Sequence, residues 1–154
     1  MSHPPTVLHL TLASDAGGLS RYIIDVGLEL KRNGWRVVVA GDRGAWHERF
    51  LASGLEYIEV PLRQGLAGFY KSARILRDWQ SRHGPIHLLH THYRRATKLA
   101  RKLQRDHSPP VLYTLHLSHL NVAGWRRWFS DFGDHTHIAS DDARKWLEIG
   151  RAHV

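Results

Sequence analysis

Short runs of apolar, β-branched residues alternate with amphipathic stretches along the whole chain, and no other feature constrains the fold as much. Val7 to Leu12 reads as a first strand, followed by the loop Ser14-Asp-Ala-Gly-Gly-Leu-Ser20. A helix is predicted over 21–33, where Tyr22, Ile23, Val26 and Leu30 recur on one face and Asn33-Gly34 supplies the stop. Further strands are predicted at 35–40, 57–60, 86–91, 111–115 and 135–139. Further helices are predicted at 46–52, 69–79, 94–105, 125–132 and 141–147. Strands joined through helices form right-handed crossovers, and hence a parallel sheet. The first two strands are apolar nearly throughout, as a strand must be when helices cover both faces of its sheet. The predicted class is α/β: one Rossmann-like, doubly wound parallel sheet.

A chain of 154 residues with 42% apolar content suffices for one hydrophobic core. Cysteine is absent, which excludes disulfides and thiolate metal sites. No apolar run approaches the roughly 20 residues of a membrane span, and the opening Met-Ser-His-Pro-Pro lacks the basic start of a secretory signal. A cytoplasmic location is therefore expected, at most peripheral on the inner face of the membrane. The net charge of +8 and pI near 10.3 favour anionic partners: nucleic acid, anionic lipid or phosphorylated substrates. The final Ile149-Gly-Arg-Ala-His-Val154 matches one reading frame of a sequencing-adapter oligonucleotide and is expected to be a non-native tail. The domain itself is placed at 1–148.

In an open parallel sheet, ligands bind beyond the carboxyl ends of the strands, close to the point where strand order reverses. Polar residues gather at those ends: Gly17, Gly18 and Arg21 after the first strand, and His90, His92 and Arg94 after the fourth. His116 follows the fifth, and Ser140 the last. Gly17-Gly18 ahead of a helix lets a phosphate approach free N–H groups, or simply makes a tight turn. It is neither a dinucleotide fingerprint nor a P-loop. His90 and His92 share one face of a strand end, with no Asp, Glu or Cys beside them to complete a metal set. They read as structural hydrogen-bonding groups or as substrate contacts, and no metal is expected. Over 94–105, Arg94, Arg95, Lys98, Arg101, Lys102 and Arg105 surround an apolar stripe of Ala96, Leu99, Ala100 and Leu103. That pattern fits a solvated face or a surface for anionic lipid. Nucleic acid is disfavoured, because no exposed aromatics interleave with the charges. Trp125, Trp128 and Phe129 fall on one side at helical spacing, as core or as an interfacial helix.

The ordered set of segments resembles glycosyltransferase family 4. Val7-Leu-His-Leu, then Gly17-Gly-Leu-Ser-Arg21 opening a helix that leads to Trp35-Arg-Val-Val-Val-Ala-Gly41, is similar to the start of that family. His87-Leu-Leu-His-Thr-His-Tyr-Arg-Arg95, Val111-Leu-Tyr-Thr-Leu-His116 and His137-Ile-Ala-Ser140 are similar to later family segments. The resemblance implies the acceptor-side half of a two-domain GT-B enzyme, with the donor-binding half absent and the chain alone inactive. It implies a retaining transferase that uses a nucleotide-diphosphate sugar donor and needs no metal or other cofactor. The acceptor would be a glycan or a lipid-linked molecule of the cell envelope. Gly17 and Gly18 would approach the donor diphosphate, and His116 would lie beside the transferred sugar as the catalytic-site histidine. Arg21, His90, His92, Arg94 and Ser140 are the candidate substrate contacts. Arg95, Lys98, Arg101, Lys102 and Arg105 are the candidate membrane contacts.

Overall fold

A computed structural model describes residues 4–104, 108–116, 131–141 and 144. Its elements follow the order β1 (Thr6–Ala13), α1 (Gly18–Arg32), β2 (Arg36–Asp42), α2 (His47–Ala52), β3 (Glu56–Glu59), α3 (Gly65–His83), β4 (Leu88–Thr91), α4 (Arg94–Leu103), β5 (Val111–Leu115) and β6 (His135–Ile138). The six strands form one sheet in the order β3-β2-β1-β4-β5-β6, and every neighbouring pair is parallel. This is the doubly wound arrangement expected from the alternating runs, and its order reverses between β1 and β4.

Alternation along β1 divides the core into two layers. Leu8 and Leu10 face one side, where α3 and α4 contribute Ala73, Leu76, Trp79, Ala96, Leu99 and Leu103. Val7, Val37 and Val39 face the other, against Ile23 and Ile24 of α1 and Phe50 of α2. His9 lies on that second side and is fully buried.

Helix bounds differ from the sequence expectation in two places. The first helix starts at Gly18 and not at residue 21, so the glycine pair belongs to the helix start itself. The third helix begins four residues before Phe69 and runs to His83, with Gly84 at φ 94° after it. Gly68 lies inside this helix and is there for contact. A Cβ at that position would lie 2.1 Å from the Pro61 carbonyl oxygen, so only glycine lets α3 sit this close to the segment after β3. The expected helix over 125–132 falls mainly outside the described residues, as do most of the expected helix over 141–147 and the tail 149–154.

Candidate functional site

The carboxyl ends of β1, β4 and β5 and the segments that follow them line a pocket of about 690 Å³. Leu12 of β1 with Gly18 and Leu19 at the start of α1 line it on one side, His92 and Tyr93 with Arg94 and Arg95 at the start of α4 on the next, and Tyr113 of β5 with His116 just beyond it on the third. It lies at the reversal of strand order, where the sheet leaves a crevice between diverging loops.

Gly17 caps α1 with φ 149° and ψ 178°, a conformation essentially confined to glycine. Gly18 has no such need. Among the described residues, a Cβ built on either glycine meets no atom within 4 Å, so these residues leave the space over the helix start open. The first turn of α1 has no acidic residue, and its N–H groups lack intrahelical acceptors. An anion above Gly18 would meet the positive end of the helix with nothing of its own sign in that turn.

Beneath the pocket lies a layer of histidines. His9 and His90 are register partners on β1 and β4, and His92 continues the same face past the end of β4. His9 Nδ1 is 3.2 Å from His92 Nε2, and His92 Nδ1 is 3.2 Å from His116 Nε2. His90 Nε2 meets Thr114 Oγ1 at 2.7 Å. Tyr22 of α1 stands edge-on over His116, with ring centroids 4.8 Å apart. Burial pushes His9 and His116 down to about 4, and His90 to about 2. It also holds His92 well below 6.5, with neighbouring imidazoles lowering His90 and His92 further. All four rings are therefore neutral at pH 7.

Neutral imidazoles are metal ligands, and ligand atoms of His9, His90 and His92 lie within 4.8 Å of one another. The ring geometry favours another arrangement. His9 and His92 are parallel to within 5° with centroids 5.4 Å apart, so nitrogens 3.2 Å apart meet edge to edge in one plane. An N–H···N hydrogen bond has that geometry; two lone pairs converging on an ion do not.

The structure redistributes the residues singled out in the sequence. Gly18, His92, Arg94 and His116 do line one pocket, and Gly17 precedes it as the helix cap. His90 is a correction: it is 4% exposed, bonded to Thr114, and lies below the pocket lining. Arg21 points along the exposed side of α1 toward Asp25, 3.6 Å away, and is not a lining residue. Ser140 is exposed beyond β6 and likewise stands apart from the described lining. Two of the expected membrane contacts are also reassigned, because their charge is engaged inside the domain. Arg101 reaches Asp131 at 2.7 Å and Asp134 at 2.6 Å, and its hydrogen bond drives the Asp134 carboxyl down to about 2. Arg95 donates to the carbonyls of Leu62 and Gly65. Lys98 and Lys102 are exposed, and Arg105 lies outside the described residues. Sequence reasoning misses His9, which is hidden in a strand that reads as apolar, and Tyr22, whose spacing marks only a helix face.

A parallel sheet reversing between β1 and β4, with a pocket over that point, defines a Rossmann-like domain. The profile of Glycosyltransferase Family 4 matches residues 16–150, and the chain belongs to that family. No curated protein matches it in sequence. Among solved structures it is similar to MurG of Acinetobacter baumannii, with 14% identity and TM-score 0.62 over 91% of this chain and 42% of that one. It is also similar to a glycosyltransferase from Rickettsia africae, with 19% identity and TM-score 0.59 over 78% of this chain and 32% of that one. A third is the sucrose-phosphate synthase of Thermosynechococcus elongatus, with 15% identity and TM-score 0.58 over 96% of this chain and 39% of that one. At these identities the likeness is one of fold, and the chain spans well under half of each structure.

Proposed function

We propose that this domain is the acceptor-side half of a retaining glycosyltransferase. The enzyme would move a sugar from a nucleotide-diphosphate donor to a glycan or lipid-linked acceptor of the cell envelope. The observation that carries this reading is one pocket in which the open helix start at Gly18 and the neutral His116 come together from distant parts of the sequence. Departure of the nucleoside diphosphate builds negative charge, and a helix N-terminus next to Arg94 is suited to receive it without reorganising. His116, uncharged, would hold a hydroxyl of the sugar in the reacting geometry. The remaining donor contacts would come from a second domain outside these 154 residues. The mechanism assigns no step to a metal or cofactor.

In the complete enzyme, His116→Ala is expected to lower turnover about tenfold, the worth of one hydrogen bond of roughly 1.4 kcal/mol. The KM for the donor should change much less, since His116 would touch the reacting sugar and not the nucleotide. Steady-state kinetics check this, and an unchanged kcat would remove His116 from the site.

A peripheral contact with anionic membrane is proposed on a revised surface. Lys102 Nζ lies 5.2 Å over the ring of Tyr70, beside the adjoining helix α3, whose Leu66 and Tyr70 are 76% and 59% exposed. Lys98 lies one turn away on α4. Apolar side chains next to cations suit a headgroup boundary. Among the described residues, no helix is long and apolar enough to cross a membrane. Lys98→Gln with Lys102→Gln should weaken binding to anionic vesicles roughly thirtyfold, at about 1 kcal/mol per lysine. Co-sedimentation measures this. Equal binding to neutral vesicles, or tighter binding to single-stranded nucleic acid, would count against the surface.

A further inference from the structure

His116 serves the proposed transfer, but further histidines are buried behind it. His9, His92 and His116 form a continuous line. In each link a ring nitrogen faces a ring nitrogen at 3.2 Å, and both pairs of centroids are 5.4 Å apart. His9 is 0% exposed and His92 is 3% exposed, while His116 reaches the pocket.

A neutral imidazole has one N–H and one bare nitrogen, so a line of three has only two possible polarities. In one, His116 Nε2–H donates to His92, His92 donates to His9 Nδ1, and His9 is left with an N–H on Nε2. In the other, His9 Nδ1–H donates to His92 Nε2, and His92 Nδ1–H donates to His116 Nε2. Among the described residues, His9 Nε2 is fully buried and has no hydrogen-bond partner. The first polarity would therefore bury an orphaned N–H, which folded proteins rarely tolerate, whereas the second leaves only a bare nitrogen there. In that second polarity each member carries its proton on Nδ1, and the Nδ1–H of His116 is the group left over for the pocket.

We propose that His9 and His92 are positioning residues that lock His116 as a hydrogen-bond donor, with Nε2 accepting from His92 and Nδ1–H presented to a substrate oxygen. The burial that holds all three rings neutral keeps the line from being broken by a proton at neutral pH. The inference deepens the proposed function and rests on it only for the identity of that oxygen. A sugar hydroxyl or ring oxygen fits, and a group that must give up a proton to His116 does not. His116 thus acts as a donor and not as a general base in this site. Since its Nε2 is already occupied, protonation of His116 would have to come at the expense of the His92 hydrogen bond.

The test needs neither donor nor acceptor, so it can fail independently of the functional reading. The chain labelled with ¹⁵N at histidine is examined by long-range ¹H–¹⁵N correlation at pH 7. The two ring nitrogens of each histidine then report directly which one carries the proton. Protons on Nδ1 of His9, His92 and His116 are expected. In His92→Phe, which keeps a flat ring but removes both nitrogens, His116 should lose its fixed tautomer and report a mixture or the Nε2–H form. His137→Ala, outside the line, should leave His116 unchanged. A wild-type His116 protonated on Nε2 overturns the proposal whether or not His92→Phe folds. So does a folded His92→Phe in which His116 keeps Nδ1–H. Uptake of one zinc ion with simultaneous shifts of the His9, His90 and His92 nitrogens would likewise overturn it, assigning these rings to a metal.

Discussion

Gly18→Val is expected to lower the turnover of the complete enzyme a hundredfold or more while leaving this domain folded. Gly18 is the first residue of α1 and lines the pocket. Among the described residues a Cβ there meets no atom within 4 Å, so none of them resists the substitution. The branched side chain instead fills the approach to the helix N–H groups. It would hold a diphosphate away from donors that act on charge developing in the transition state. Loss of one such donor typically costs about 10²- to 10³-fold in rate. Gly17→Val makes the contrast. At φ 149° and ψ 178° a side chain strains the backbone by ~1–3 kcal/mol, so that variant should lose stability as well as activity. Thermal melts with kinetics separate the two. A Gly18→Val enzyme of normal turnover would place the anion elsewhere.

The second large effect is acid unfolding ahead of the carboxylate range. His9, His90 and His92 are neutral in the fold, with pKa values depressed by burial below the unfolded value near 6.5. Above pH 6.5 both folded and unfolded chains keep these rings neutral, and they impose no pH dependence. Below it, the unfolded chain takes up protons that the folded chain refuses, so stability falls by up to about 1.4 kcal/mol per pH unit for each group. At pH 5, His9 and His90 withdraw roughly 4 kcal/mol between them, a large share of the whole stability of an ordinary domain at ~5–15 kcal/mol, and His92 acts in the same direction. Circular dichroism from pH 8 to pH 4 should show cooperative loss of structure between about pH 6 and 4.5. A chain still folded at pH 4 would mean that the core histidines accept protons in place.

The sheet was legible because its strands are written as apolar runs and its helices as amphipathic ones, and because parallel crossovers leave few ways to order them. The pocket was legible to the extent that residues sit at strand ends: Gly18, His92 and His116 could be placed there by counting. What could not be read depends on pairing across the sheet. His9 looks like an interruption in Val7-Leu-His-Leu until β1 is laid beside β4, which puts it against His90. The engagement of Arg101 was hidden in the same way. Within its own helix it looks like one more cation, and the aspartates that hold it, Asp131 and Asp134, are thirty or more residues further along. The four residues of α3 ahead of Phe69 were not legible either, because the contact that fits Gly68 there, with the Pro61 carbonyl, comes from the segment after β3 and not from its own helix.

Acceptor-dependent release of nucleoside diphosphate is the most direct measurement. The complete protein containing this domain is incubated with a panel of nucleotide-diphosphate sugars and with glycan and lipid-linked acceptors. One donor should be consumed only when its acceptor is present, with the anomeric configuration retained in the product, and Gly18→Val should abolish most of that turnover. Absence of transfer across the panel, or transfer at an undiminished rate in Gly18→Val, would contradict the assignment of this pocket to glycosyl transfer.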